Sequence, residues 1–175
     1  WGWSPAMDSI VRPSMRFSEL KSGDRYDVNL LNQERQRISD RLRNRGYYFF
    51  QPDYIEFLVD TTSENKIADV RITLKQGVPA SALKPYKLQN VEVVLSGNDG
   101  TGECDSLMID SVKIIYEPPM TLKPNVLMRA VRVRPGQLYS AIRQSRTQAK
   151  FVQLGVFKFA NMAITASDTT SQQAL

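Results

Sequence analysis

An internal repeat constrains this chain more than any other feature of its sequence. Met15-Arg16 and Met128-Arg129 stand 113 residues apart, and the same offset links Gly23 to Gly136 and Tyr26 to Tyr139. Each tyrosine is followed by a residue suited to cap a helix N-terminus, Asp27 in one copy and Ser140 in the other. Helical sequence then runs to Gly46 and Gly155, where the offset has fallen to 109, so the second helix is shorter by four residues. Aromatic strand starts follow, Tyr47-Tyr48-Phe49-Phe50 and Phe157-Lys158-Phe159, and both copies reach Asp-Thr-Thr at 60–62 and 168–170. Glycines, tyrosines, caps and turns that recur in one order mark a single supersecondary unit used twice.

Within the first copy, the spacing predicts a helix over 27–45 with Val28, Leu31, Ile38 and Leu42 on one side, stopped by Gly46 in a left-handed cap. From Tyr54 the period changes to two. Ile55, Phe57 and Val59 then share one strand face, and Glu56 and Asp60 share the other. After a turn at 60–66, Val70, Ile72 and Leu74 alternate with Asp69, Arg71, Thr73 and Lys75, so the two strands form an antiparallel hairpin. Gly77 to Pro85 reads as a linker, and Tyr86 to Leu95 as the strand that opens the second unit through Leu88, Val91 and Val93. A polar loop at 96–105, a strand at 111–116 and a short helix at 124–130 precede a long helix at 140–154. That helix is expected to turn Ile142, Ala149, Phe151, Val152 and Leu154 mostly to one face. The first unit is expected to lack most of its opening strand and the second its last, as in an excerpt cut across a tandem array.

Composition closes most catalytic designs. The 175 residues include no histidine and one cysteine, so neither a Ser-His-Asp nor a Cys-His nucleophile can be built, and no disulfide can close within the chain. Gly97-Asn-Asp-Gly100-Thr-Gly102 lacks the Lys-Ser/Thr of a phosphate-binding loop, and Cys104 beside it has acidic neighbours and no base. Asp53, Glu56, Asp60 and Asp69 read as the solvated side of a sheet rather than an acid–base pair. Net charge is +5, and no run of apolar residues is long enough for a transmembrane helix. Arg35, Arg37, Arg41, Arg43 and Arg45 make a basic helix, read first as a solvated face, with an acidic partner, lipid headgroups or nucleic acid as alternatives.

Strand, short helix, long helix ending in glycine and a two-stranded hairpin together resemble the POTRA module, found in the periplasmic part of outer-membrane assembly factors of the BamA and TamA type. The likeness is carried by Leu20-Lys-Ser-Gly-Asp-Arg-Tyr-Asp27 with Leu42-Arg-Asn-Arg-Gly-Tyr-Tyr48, and by Arg134-Pro-Gly-Gln-Leu-Tyr139 with Leu154-Gly-Val-Phe157. Tyr86-Lys-Leu-Gln-Asn-Val91 also resembles an opening strand of the family. The resemblance implies an α+β fold of tandem β-α-α-β-β modules, each a small mixed three-stranded sheet with two helices packed on one face. The modules would span 1–79 and 80–175, the second with an insertion near 96–116.

The resemblance further implies a docking module with no catalytic residues and no cofactor, held in the periplasm and tethered to the outer membrane through its parent protein. Its partners would be unfolded outer-membrane β-barrel proteins, with accessory lipoproteins or periplasmic chaperones besides. Nucleic acid is not expected, and contact with the membrane comes only through a barrel outside this excerpt. Clients would add as a strand to an open sheet edge. In the first unit that edge maps to Tyr54, Ile55, Glu56, Phe57, Leu58 and Val59, beside a groove helix bearing Arg35 and Arg41. In the second unit it maps to Phe157, Phe159, Met162 and Ile164. A proline at Glu56 is expected to remove an edge donor. A structural spacer or partner-lipoprotein scaffold without client binding, and a basic nucleic-acid-binding domain, are the alternatives kept open.

Overall fold

The computed structural model describes residues 2–60, 69–95, 103–120, 122–155 and 164. The chain opens with helix α1, Pro5–Ser14. Ser4 caps it by accepting a hydrogen bond from the Met7 amide at 3.4 Å, and Pro5 supplies the fixed φ that suits a first helical position. Met7, Val11 and Ser14, spaced by four and three, turn inward. A single 3₁₀ turn, Met15–Phe17, leads to the turn at Gly23 and then to helix α2, Val28–Arg43. Asp27 caps α2 through the Asn29 amide at 2.7 Å.

α1 and α2 are joined by apolar packing and by one charged clasp. Glu34 lies on the buried face of α2, and Arg37 grips it through Nη2 at 2.6 Å while donating Nη1 to the Ser14 carbonyl at 3.0 Å. The side chain of Glu34 is only 1% exposed, so the pair satisfies a carboxylate that burial would otherwise penalise. α2 ends in the αR C-cap Asn44, and Gly46 adopts φ +108°. A side chain at that φ is strained, and a Cβ there would also meet Pro85 at 3.0 Å.

Strand β1, Ile55–Asp60, pairs antiparallel with β2, Asp69–Leu74, placing Ile55 opposite Leu74 and Phe57 opposite Ile72. Trp3, Met7, Val11, Ile38, Leu42, Tyr47, Phe50, Ile55 and Ile72 close into the first core. The sheet has two strands among the described residues. Gly2 lies along the far side of β2, where a Cβ would come within 2.7 Å of Thr73 Oγ1.

The second unit has strands β3, Val91–Leu95, β4, Asp105–Ile109, and β5, Val112–Tyr116, in the order β3-β5-β4. β3 runs parallel to β5, and β4 antiparallel. β4 reaches β5 through Asp110 and Ser111, both at positive φ, the backbone that a two-residue hairpin turn requires. Helix α3, Pro124–Ala130, and helix α4, Ala141–Gln153, follow. Val91, Val112, Ile114, Leu127, Met128, Val131 and Val133 form a second core, with Phe151 and Leu154 packed against it.

The molecule is thus α+β, with the repeat's glycines Gly23, Gly46, Gly136 and Gly155 all at positive φ. Four details depart from expectation. The aromatic run 47–50 is a turn instead of a strand start, because a 3₁₀ turn at Pro52–Tyr54 delays the strand to Ile55. Residues 86–95 are two segments: only 91–95 join the sheet, while Tyr86 and Leu88 exchange backbone hydrogen bonds with residues 136–139. β4 adds a strand at 105–109, directly after the expected polar loop. Of the apolar residues of α4, Ile142 and Val152 are 48% and 51% exposed, and Val28 at the start of α2 is 54% exposed. A turn of 100° per residue puts Ile142 opposite Phe151, so both cannot face one core.

Candidate docking edge and the joint between the units

The first candidate site is the outer edge of β1. Ile55 is fully buried, Phe57 is half-buried, and Leu58 and Val59 are 48% and 37% exposed, so the strand leaves the core as it runs. Val70, opposite Val59, is exposed as well. β2 occupies one side of β1, and the other side of Glu56–Val59 carries no strand among the described residues.

Register decides which backbone groups that edge offers. The Lys75 amide donates to the Tyr54 carbonyl at 2.9 Å, which makes Tyr54 and Lys75 a hydrogen-bonded pair. In an antiparallel ladder such pairs recur every second residue. Glu56–Thr73 and Leu58–Arg71 are therefore bonded pairs, and the amides of Phe57 and Val59 point outward. This corrects the expectation for Glu56. Its N–H serves the hairpin, and a proline there breaks the ladder to β2.

α2 lies alongside. The guanidinium of Arg35 sits 5.4 Å from the centre of the Phe57 ring, a cation–π contact that places Arg35 over β1. Arg41 is exposed and stands about 120° further round the helix, on the side of Glu34 and Arg37 that faces α1. The structure therefore brings Arg35 to the edge strand and does not bring Arg41 there. Tyr54 packs against the first core, edge-on to Phe50 at 5.8 Å. Of the second-unit positions, Ile164 is half-buried outside any strand, while Phe157, Phe159 and Met162 lie outside the described residues, as do Gly97–Gly102. Cys104 is exposed.

A second arrangement joins the two units. The Asn44 side-chain oxygen, at the end of α2, accepts from the Ile142 amide at 2.8 Å and from the Ser140 hydroxyl at 3.3 Å. Ser140 in turn accepts from the Arg143 amide, so the open N–H groups of α4 are capped by both units together. Tyr48 meets Tyr139 edge-to-face at 4.8 Å, Phe49 meets Tyr86 at 5.2 Å, and the Tyr86 amide donates to the Gly46 carbonyl. The aromatic run is thereby divided: Tyr47 and Phe50 fill the first core, while Tyr48 and Phe49 hold the second unit. Asn44 carried no sequence signal, since its partner lies 98 positions away.

Residues 7–77 match the family model of the POTRA domain, described as surface antigen variable number repeat. Among solved structures, the chain is similar to the crystal structure of Haemophilus influenzae BamA POTRA3-5, at 14% identity and a TM-score of 0.32, over 90% of this chain and 86% of that one. A search of curated proteins returned no match.

Proposed function

We propose, from the premise that residues 7–77 are a POTRA domain, that this chain is a periplasmic docking region of an outer-membrane β-barrel assembly factor. It comprises two such modules, 1–79 and 80–175, and it binds rather than catalyses. Its clients are unfolded barrel proteins, which add as a strand to the outer edge of β1. The observation that carries this reading is the pair of outward amides, Phe57 and Val59, on a strand whose exposed end is apolar. Backbone pairing supplies affinity with little demand on client sequence, and the apolar end favours amphipathic strands.

The test is an amide NMR titration with an extended peptide taken from a barrel strand, with short single-stranded DNA as the control. Shifts confined to 55–60 and to Arg35, with none for DNA, are expected. Val59→Pro removes one outward donor and leaves the bonded pairs to β2 intact, so it should weaken the peptide about fivefold, as befits one hydrogen bond of about 1 kcal/mol. Equal affinity in a folded V59P variant counts against this edge. The bonded joint at Asn44 favours a second reading, a stiff spacer or lipoprotein scaffold, and silence toward both probes would select it.

A further inference from the structure

Charge is unevenly divided along this chain. From residue 118 to residue 167 there are eight lysines and arginines and no aspartate or glutamate. Four of these cations, Arg132, Arg143, Arg146 and Lys150, line an open hollow of about 910 Å³ beside α4, together with Ala149 and Val152. All four are exposed, and none forms an ion pair among the described residues. Among the described residues, the side chains of Arg143 and Lys150 donate to neutral amides, of Gln137 and Gln153 at 2.9 and 2.8 Å. The first unit differs, since its basic helix answers Arg37 with Glu34 and carries Asp40 as well.

We propose that this hollow is a docking site for an acidic, extended protein segment. Three of its four cations are arginines, whose planar forks pair with carboxylates in two-point contact. They line a concavity, which a projecting chain enters and a flat bilayer surface does not fill. Ala149 and Val152 give it an apolar side for the alternate residues of such a segment, Val152 being 51% exposed. The site is separate from the β1 edge and does not depend on strand addition there.

The probe is a short fluorescent peptide alternating glutamate with valine, added to the whole chain, with a glutamine-for-glutamate version as control. The glutamate peptide should bind with an affinity that falls as salt rises, and the glutamine peptide should not bind. R146E/K150E should weaken binding about tenfold or more, the effect of losing two exposed pairs and adding repulsion. Both side chains are exposed, and an unchanged amide spectrum for residues 105–116 and 127–133, which hold the second core, checks the fold. R146Q/K150Q should give a smaller loss in the same direction, and R35E/R41E in the first unit little change. Equal binding of the glutamine peptide overturns the proposal. So does a loss confined to R35E/R41E, or capture of the chain by phosphatidylglycerol vesicles with no affinity for the peptide.

Discussion

Glu34 and Arg37 show how one turn of helix is committed to holding a second helix. Glu34 is buried, and Arg37, at 25% side-chain exposure, reaches past it to the Ser14 carbonyl at the end of α1. The bond to Glu34 raises the arginine's pKa further, although burial opposes the shift. Glu34→Ala leaves that guanidinium half-buried without its carboxylate and should cost about 2 kcal/mol in urea unfolding. Replacing both residues with apolar ones, E34L/R37M, should recover most of the loss, and a harmless E34A would show that the clasp contributes nothing. Tyrosines give the pH dependence. Burial pushes the Tyr47 phenol above its usual 10.0, and that of Tyr139 likewise, there against the nearby Arg43. A folded-state pKa raised above the unfolded one means stability that is complete below pH 10.0 and lost as pH climbs through the folded value. Unfolding midpoints taken on either side of that range should fall with alkalinity, and fall less in Tyr47→Phe.

Among the elements, α4 depends most on a neighbour. Its second N–H is capped by Asn44 from the other unit, so Asn44→Ala should cost about 1 kcal/mol and shift the amides of residues 139–143. Asn44→Asp keeps the acceptor and adds a charge that suits a helix N-terminus, so it should restore the spectrum. No shift at 139–143 in N44A would mean that the joint is held by its aromatic rings alone. Caps and stops were legible in the sequence: Asp27, Ser140, Gly46 and Gly155 stand where they were expected, because each acts on backbone a few residues away. The inward face of α4 was not legible. Its apolar residues are spread around the helix, and its docking on α3 and the second core selects Phe151 and Leu154 over Ile142 and Val152.

At the scale of the molecule, two cores lie side by side, one closed by Trp3 through Ile72 and the other by Val91 through Val133. If each sustains its own unit, Leu127→Ala should cost about 2–5 kcal/mol in the second and leave the first nearly untouched. Hydrogen exchange followed residue by residue reads this directly. Faster exchange at 105–133 with unchanged protection at 31–42 is expected, whereas equal acceleration in both would make the chain one cooperative block. Joint residues 44–48 and 139–142 should respond between these limits.

By itself the sequence determined the limits of the two long helices, the glycine turns and the pairing of 55–60 with 69–74, since periods and caps involve residues close in the chain. It also displayed the uncompensated cations of 118–167, which need only counting. Tertiary structure decided which amides of β1 face outward, which arginine of α2 lies over it, and where Tyr48 and Phe49 pack. Those follow from register, helix rotation and contacts between residues 37 and 91 positions apart. A hydrophobic period states how residues are spaced, and only docking against a partner states which of them it buries.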